Sequence, residues 1–519
     1  MAAVPEFGRT SAMALVGLGA HPVEVEAHIA SGLPGFSLVG TLDKSLQEAR
    51  DRVCAAATNA GCPMPSRKLT VNLTPASLPK RGSAFDVAIA VAVLAASGEV
   101  DRLSAAGTVH IGELGLDGRL RPVPGILPVV LAAVRAGFSH IVVPQANAQE
   151  ARLVPGADVV GAVGLADVVR LHGGAVPQRT PAQEPVPLSP NGIHVLRRAV
   201  PDLRDVAGQV DARYAIEVAA AGGHHLLMIG PPGAGKTMLA MRLPGILPDL
   251  DDEDAVEVTA VHSVTGSFDP RDGLIRRPPF EGPHHSASMA AVIGGGAGIA
   301  GPGAASRAHR GVLFLDEAPE FQRPVIEAMR QPLEEGRVVL ARSRGTVEFP
   351  ARFQLVLTAN PCPCGHSVGK GLGCECTARA RRSYMSRLSG PVLDRVDLQI
   401  EVMPVSRAQM AVGAAPEDTA TVARRVAQTR AAQLERWYRC GWKTNADAPG
   451  PALRELWRLP AGCTASIDRA LDRGTLTLRG YDRVLRTAWT VADLDGASVP
   501  DRDHLGRALL LRQRGQVAA

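Results

Sequence analysis

The chain is poor in aromatic residues: Phe, Tyr and Trp make up 3% of its 519 residues. Its cores must therefore be built from Ala, Val, Leu and Ile. Cysteines number eight, too few for a disulfide scaffold at this length, and four of them crowd into one short stretch. That distribution points to a reducing compartment, the cytoplasm, and to a metal rather than to crosslinks. No continuous apolar run reaches about 18 residues, and the N-terminus has no basic segment leading into an apolar one. The sequence therefore predicts neither a membrane span nor secretion. Strong charge of one sign is also lacking: 56 Lys and Arg stand against 51 Asp and Glu, a net +5. A nucleic-acid partner is permitted but not demanded, and any basic surface must be local. With 46% apolar and 21% charged residues, a folded protein is expected, and the length predicts about three domains.

What the chain does have is Gly230-Pro231-Pro232-Gly233-Ala234-Gly235-Lys236-Thr237. This fits the G-x-x-x-x-G-K-[ST] pattern of a phosphate-binding P-loop. The apolar run from His225 to Ile229 precedes it as a buried strand, and Met238 onward reads as the opening of a helix. The glycines let backbone N–H groups approach an anion, and the helix N-terminus adds partial positive charge. In this reading Lys236 reaches the β- and γ-phosphates of ATP and Thr237 holds Mg²⁺. Further on, Gly311-Val-Leu-Phe-Leu-Asp316-Glu317 is an apolar strand ending in two carboxylates, as a Walker B strand requires. Asp316 would bind Mg²⁺ through water, and Glu317 would orient and polarise the attacking water. Leu355 to Asn360 is a third apolar strand. It places Asn360 as a sensor-1 residue on the γ-phosphate side.

Residues 1–172 read as one α/β unit. Strands are predicted at 23–29, 69–73 and 140–144, helices at 44–60, 85–96 and 126–136, and a hairpin turning at Asp117-Gly118. The stretches Pro79-Lys-Arg-Gly-Ser-Ala-Phe-Asp and Gly112-Glu-Leu-Gly-Leu-Asp-Gly-Arg-Leu-Arg-Pro-Val-Pro-Gly resemble the C-terminal domain of Lon-type proteases, a ribosomal-protein-S5-domain-2-like fold also borne by RadA. In Lon the nucleophilic serine lies in K-D-G-P-S-A-G. Aligned on Lys-x-Gly, that serine falls on Ala84, with Ser83 one residue out of register. Leu127 stands where Lon has its catalytic lysine. A serine without a base is a weak nucleophile, so the domain reads as a non-proteolytic module for binding or assembly. Residues 173–190 carry five prolines and read as an extended linker.

P-loop, Asp-Glu, Thr-Ala-Asn, Leu-Asp394-Arg395 and the late Arg479-Gly occur in the order of an AAA+ ATPase. The text from the N-terminal module through Gly-Pro-His-His-Ser, Asn-Pro-Cys-Pro-Cys-Gly and Ser-Gly-Pro-Val-Leu-Asp-Arg-Val-Asp-Leu resembles the ComM/YifB family of magnesium-chelatase-like AAA+ proteins over nearly the whole chain. The resemblance implies an AAA+ domain over 191–405 and a helical lid over 406–519. It implies Arg395 as an arginine finger on a neighbour's ATP and Arg479 as sensor 2. It also implies a hexameric motor acting on single-stranded or branched DNA, as a helicase or in branch migration during natural transformation or recombination. This chain departs from the family in having Arg-Pro-Pro-Phe-Glu-Gly before His284-His285, where relatives carry Arg-Pro-Phe-Arg. These two are read as satisfied loop histidines. The rival readings are a chelatase-type motor that remodels a partner protein and a Lon-type ATP-dependent protease, the latter disfavoured by Ala84 and Leu127.

Two further stretches carry chemistry. Cys362, Cys364, Cys374 and Cys376 form two C-x-C pairs, which suit tetrahedral Zn²⁺. A reduced Gly-rich loop with incidental thiols is the alternative. Between the Walker B helix and the sensor strand, Val338–Ala341 and Thr346–Phe349 can pair as strands, leaving Arg342-Ser343-Arg344-Gly345 at a tight tip. In AAA+ relatives such as the MCM helicases a hairpin inserted here projects into the central pore. That resemblance favours Arg342 and Arg344 as phosphate contacts over a merely solvated hairpin.

Overall fold

The computed structural model describes residues 7–40, 46, 48–80, 82–176, 184–187, 201–296, 301–342, 345–367, 373–405, 416–460 and 462–512. It divides into two compact units. The first comprises residues 1–196 with 255–275, and the second 197–254 with 276–519. Residues 255–275, which the sequence reading placed inside 191–405, thus cluster with the first unit. Both units are mixed α/β.

The first unit is built on a seven-stranded sheet. Its strands are β1 (Phe7–Val16), β2 (Gly19–Ala30), β3 (Gly35–Val39), β4 (Lys68–Thr74), β5 (Thr108–His110), β6 (His140–Pro144) and β7 (Asp158–Ala162), in the order β3-β4-β2-β1-β5-β6-β7. β1 pairs antiparallel with β2, and β2 with β4. The β1-β5-β6-β7 half is parallel. Helix α1 (Ala49–Asn59) and helix α2 (Asp86–Ser97) lie in this unit. Eleven residues of α2, from Asp86 to Ala96, are buried, and all but Asp86, which Arg52 pairs at 2.7 Å, are apolar, as suits an interior helix. It packs on β1 and β2. The approach is close enough that a Cβ at Gly8 would stand 2.4 Å from both the Ala92 carbonyl oxygen and the Ala96 nitrogen. Helix α3 (Ile126–Arg135) buries Ile126, Leu127, Val129 and Val130.

The second unit carries a five-stranded sheet. In chain order its strands are β8 (Leu226–Ile229), β9 (Phe280–Glu281), β10 (Val312–Leu315), β13 (Gln354–Ala359) and β14 (Leu398–Glu401), with the hairpin strands β11 (Arg337–Arg342) and β12 (Gly345–Pro350) forming a separate ribbon between β10 and β13. The spatial order is β9-β10-β13-β8-β14, and every pairing is parallel. Strands β8, β10 and β13 are buried at every position; β8 and β10 are apolar throughout and β13 is so except at Gln354 and Thr358, so none alternates. Helix α4 (Val210–Gly222) leads into β8, and helix α5 (Lys236–Ala240) follows the P-loop.

The C-terminal helices α6 (Thr419–Trp437), α7 (Leu478–Leu494) and α8 (Arg502–Leu510) belong to the same unit. The expected aliphatic core is joined here by tryptophan. All four tryptophans of the chain gather in one cluster: Trp437 has its ring centroid 4.8 Å from Trp457, 5.3 Å from Trp442 and 6.1 Å from Trp489. The Arg436 guanidinium lies 4.6 Å over the Trp489 ring and ion-pairs with Asp493. Polar ties join these helices to the sheet and α4. Arg425 grips Glu217 with two bonds of 2.6 and 2.9 Å, and Arg430 donates to the Ala220 carbonyl. Arg483 pairs with the buried Asp397 at the start of β14.

Candidate functional site

The carboxyl ends of β8, β10 and β13 lie side by side, because the parallel register sets Ile229 opposite Ala359 and Leu315 opposite Leu357. The three motifs that follow these strands are thereby brought to one edge of the sheet, where α/β folds bind ligands. Gly230 leaves β8 with no room for a side chain: a Cβ there would stand 2.1 Å from the Val402 carbonyl oxygen. Gly233 and Gly235 adopt φ of +75° and +92°, the left-handed region glycine occupies without strain. The loop that results closes on its own lysine. Lys236 Nζ donates to the carbonyls of Gly230 (2.6 Å) and Pro231 (2.9 Å) and to Asn360 Oδ1 (3.2 Å). Burial lowers the Lys236 pKa, against the opposing pull of Asp316 and Glu317.

Thr237 Oγ1 donates to Asp316 Oδ2 at 2.9 Å. A hydroxyl and a carboxylate oxygen meeting at the foot of a phosphate cradle are the hard oxygen donors that Mg²⁺ takes alongside water and phosphate. The donor set thus fits the ion expected from the sequence. Glu317 has φ +52°, uncommon for a residue with a side chain, and its side chain is 49% exposed. The left-handed turn aims it away from the strand into the open edge, where a water would be met.

Sequence reading missed two supports of this arrangement. Thr358 donates its hydroxyl to Asp316 Oδ1 at 2.5 Å and accepts the Glu317 backbone N–H at 2.9 Å, so one side chain orients both carboxylate residues. It lies within the quoted Thr-Ala-Asn stretch, but only the sheet register shows what it touches. Gln209, at φ +53°, donates to the carbonyls of Ala234 (3.0 Å) and Met403 (2.6 Å), fastening the phosphate loop to the chain beyond β14. No sequence signal marks it.

His284 is satisfied within its loop, as expected, by Ser286 Oγ at 2.8 Å from its Nδ1, and both histidines lie near the site. Strand β9 pairs with β10 so that Glu281 stands opposite Leu313. Four residues on, His285 Nδ1 is 3.8 Å from Glu317 Oε2, and the His284 ring stacks on His285 with centroids 4.1 Å apart. Arg395 and Arg479 are elsewhere: among the described residues no hydrogen bond or ion pair joins either to the phosphate loop. Arg395 is buried, donates to the Pro391 carbonyl and ion-pairs with Glu334. Burial, then the like charges of Arg479, Arg330 and Arg483, lower its pKa. Arg479 is exposed near the start of α7.

Strands β11 and β12 pair from Arg337↔Pro350 to Arg342↔Gly345, one residue longer at each end than the sequence indicated. Arg344 and the side chain of Arg342 lie outside the described residues. The four clustered cysteines do come together: Cys362 Sγ is 3.4 Å from Cys364 and 3.7 Å from Cys374, and the four sulfurs all lie within 4.8 Å of one another. This group could hold a metal ion. In the first unit, Ser83 Oγ bonds to Glu113 rather than to an amine. Leu127 is buried, with its amide capped by Glu150 Oε1 at 3.1 Å.

A phosphate cradle, an oxygen pair for a hard cation and a solvent-facing carboxylate, set at the carboxyl edge of an all-parallel sheet, define a P-loop ATPase of the AAA+ class. Comparison with known proteins narrows the class. The family models described as "Magnesium chelatase, subunit ChlI", "Subunit ChlI of Mg-chelatase" and "Magnesium chelatase, subunit ChlI C-terminal" match residues 202–410, 25–147 and 416–512. An uncharacterized protein of Mycobacterium tuberculosis is 49% identical over 511 residues, covering 98% of this chain and 99% of that protein. YifB of Escherichia coli is 40% identical over 500 residues, covering 96% of each chain. Competence protein ComM of Haemophilus influenzae is 40% identical over 502 residues, covering 96% of this chain and 95% of its own length. The chain belongs to the ComM/YifB family of magnesium-chelatase-like AAA+ proteins. No helix among the described residues is long and apolar enough to cross a membrane.

Proposed function

We propose that the protein is an ATP-hydrolysing motor that acts on DNA, assembled as a ring of identical subunits, a hexamer, in the cytoplasm. The observation that carries the hydrolytic reading is the hydrogen-bonded run Thr237–Asp316–Thr358–Glu317 beside Lys236 and Asn360. In this reading the loop amides and Lys236 cradle the triphosphate, and Thr237 and Asp316 hold Mg²⁺, which offsets charge on the phosphates. Glu317 accepts a hydrogen bond from the attacking water and turns its lone pair toward the γ-phosphorus, while Asn360 fixes the γ-phosphate side. Arg395 then acts as an arginine finger on a neighbour's ATP, and Arg479 serves as sensor 2 on the lid.

The DNA substrate is supported by membership of the family that includes a protein named for competence. Branch migration or strand separation during recombination of incoming DNA suits such a motor. The first unit serves it as a Lon-like, non-proteolytic module, and the helices after residue 406 serve as the lid. The four thiols bind Zn²⁺. One observation favours a second reading: the family models over all three segments are described by a magnesium-chelatase subunit. That would make the chain a remodeller of a partner protein.

ATP turnover measured with and without single-stranded, duplex and branched DNA separates the two readings. Stimulation, greatest with a branched substrate, is expected; no stimulation by any DNA favours protein remodelling. Glu317→Gln should retain ATP and lose turnover, whereas Lys236→Ala should lose binding itself. Turnover by Glu317→Gln at the parent rate would remove Glu317 from its assigned role.

A further inference from the structure

The thiol cluster begins two residues beyond Asn360, the side chain that receives Lys236. Its geometry suits a single ion. Four sulfurs at about 2.3 Å from a tetrahedral zinc stand about 3.8 Å apart, and the closest pairs here are separated by 3.4, 3.7 and 3.8 Å. Thiols brought this close gain little from one another, since S–H is a weak donor. A metal that deprotonates and binds them supplies the missing attraction.

The backbone between the first two ligands and the loop beyond them has another neighbour. Gly365 adopts φ +80° and donates its N–H to the Cys362 carbonyl at 3.0 Å. Its α-carbon lies directly on the phosphate loop: a Cβ there would stand 2.5 Å from Pro232 Cδ and 2.7 Å from Pro232 Cγ. The same loop is fixed at its far side, where Arg381 donates to Ser367 Oγ at 3.3 Å and the Ser367 N–H points to Cys362 Sγ at 3.3 Å. The stretch from Asn360 to Ser367, which holds the first two thiols, is therefore packed at Gly365 on the proline of the phosphate cradle and carries the carboxamide that receives its lysine.

We infer that a zinc ion held by Cys362, Cys364, Cys374 and Cys376 clamps this segment against Pro232, so that nucleotide affinity depends on occupancy of the thiol site. The inference rests on the zinc reading given above. Without the ion the two thiol pairs part, the segment regains conformational freedom, and the phosphate loop loses its outer support. Nucleotide then binds the fraction of molecules in which the loop is still in place, and its apparent affinity falls in proportion.

The test measures bound zinc and the affinity for a fluorescent ATP analogue on the same full-length samples. The parent should carry about one zinc per chain. After chelation, and in Cys374→Ser with Cys376→Ser, zinc should be lost and the analogue should bind about tenfold more weakly. Gly365→Ala separates the two claims: it keeps all four thiols and should retain zinc, yet its added methyl pushes on Pro232 and should weaken nucleotide binding to a similar degree. A zinc-bearing parent whose affinity is unchanged both by chelation and by Gly365→Ala overturns the coupling while leaving the zinc reading intact. A parent that is metal-free, folded and fully competent to bind the analogue overturns the zinc reading and the coupling with it. Chelation of the parent and Gly365→Ala keep the question answerable if the double cysteine variant does not fold.

Discussion

Thr358 shows what a single side chain contributes at the site. Its hydroxyl holds one Asp316 oxygen and the Glu317 amide, so replacing it with valine keeps the shape and removes both bonds. A hydrogen bond to a charged group contributes about 1.5–3 kcal/mol. If that is felt in the transition state, Thr358→Val should lower kcat by roughly 10- to 100-fold with ATP affinity little changed, as steady-state kinetics and a nucleotide titration would show. An unchanged kcat would mean that Thr358 does no more than pack. Lys236, Thr237, Asp316, Glu317 and Asn360 were legible in the sequence because each belongs to a contiguous pattern whose chemistry requires that residue type at that place. Thr358 and Gln209 were not, because an ordinary polar side chain gains its role from what the fold sets opposite it. The nearness of His285 to Glu317 was not legible for the same reason, since only the β9–β10 register brings the two level.

Among the elements, the first unit contains a buried pair of histidines, one on its sheet and one just after a helix. His110 on β5 and His172 face each other through their Nε2 atoms at 2.8 Å. Thr10 Oγ1 on β1 lies 2.7 Å from His110 Nδ1, and Ser104 Oγ 2.7 Å from His172 Nδ1. Thr10 sends its own proton to the Ala105 carbonyl, so it accepts from His110, and one proton is left between the two Nε2 atoms. Both rings are then neutral. Burial, with His172 alongside, pushes the His110 pKa down to about 3, whereas an unfolded histidine titrates near 6.5. The unfolded chain thus binds more protons below about pH 6.5, and stability contributed by the neutral pair is complete above that value and declines as pH falls toward 3. Hydrogen exchange of β1 and β5, corrected for intrinsic rates, should reveal weaker protection at pH 5 than at pH 7, and less pH dependence in His110→Gln. In the second unit Asp397 is likewise held below its ordinary pKa, so its contribution also declines as pH falls, but there the favoured form is the charged one. Burial alone would raise its pKa, but Arg483, with His224, His225 and Arg486, holds the carboxylate ionised well below its usual range. Arg483→Leu leaves that charge buried without its partner and should cost about 3–5 kcal/mol, read as a lower urea midpoint with unchanged slope. For the hairpin β11–β12, Arg342→Ala with Arg344→Ala should spare basal ATPase, weaken DNA binding and reduce its salt slope by about one per lost phosphate contact. Undiminished DNA affinity and strand displacement would move the DNA contacts elsewhere, the first unit being the next candidate.

At the scale of the whole molecule, the proposed ring divides each active site between two chains. Arg395→Ala and Glu317→Gln subunits, each inactive alone, should recover part of the ATPase activity when mixed, because some interfaces then pair an intact Glu317 with an intact Arg395. Full activity of purified Arg395→Ala assemblies would reject the role in trans. The sequence by itself determined the α/β class, the phosphate loop, the two Walker carboxylates and the thiol spacing, because strand–loop–helix chemistry and ligand spacing are local and survive without knowledge of the rest of the chain. Strand β1 escaped that reading, as did the assembly of all four tryptophans into one cluster. The tertiary structure alone decided which strands are neighbours, that residues 255–275 cluster with the first unit, and that Gly365 rests on Pro232. Those outcomes depend on contacts between residues far apart in the chain, set by the packing of buried apolar surfaces, and no short stretch of sequence encodes its own partner.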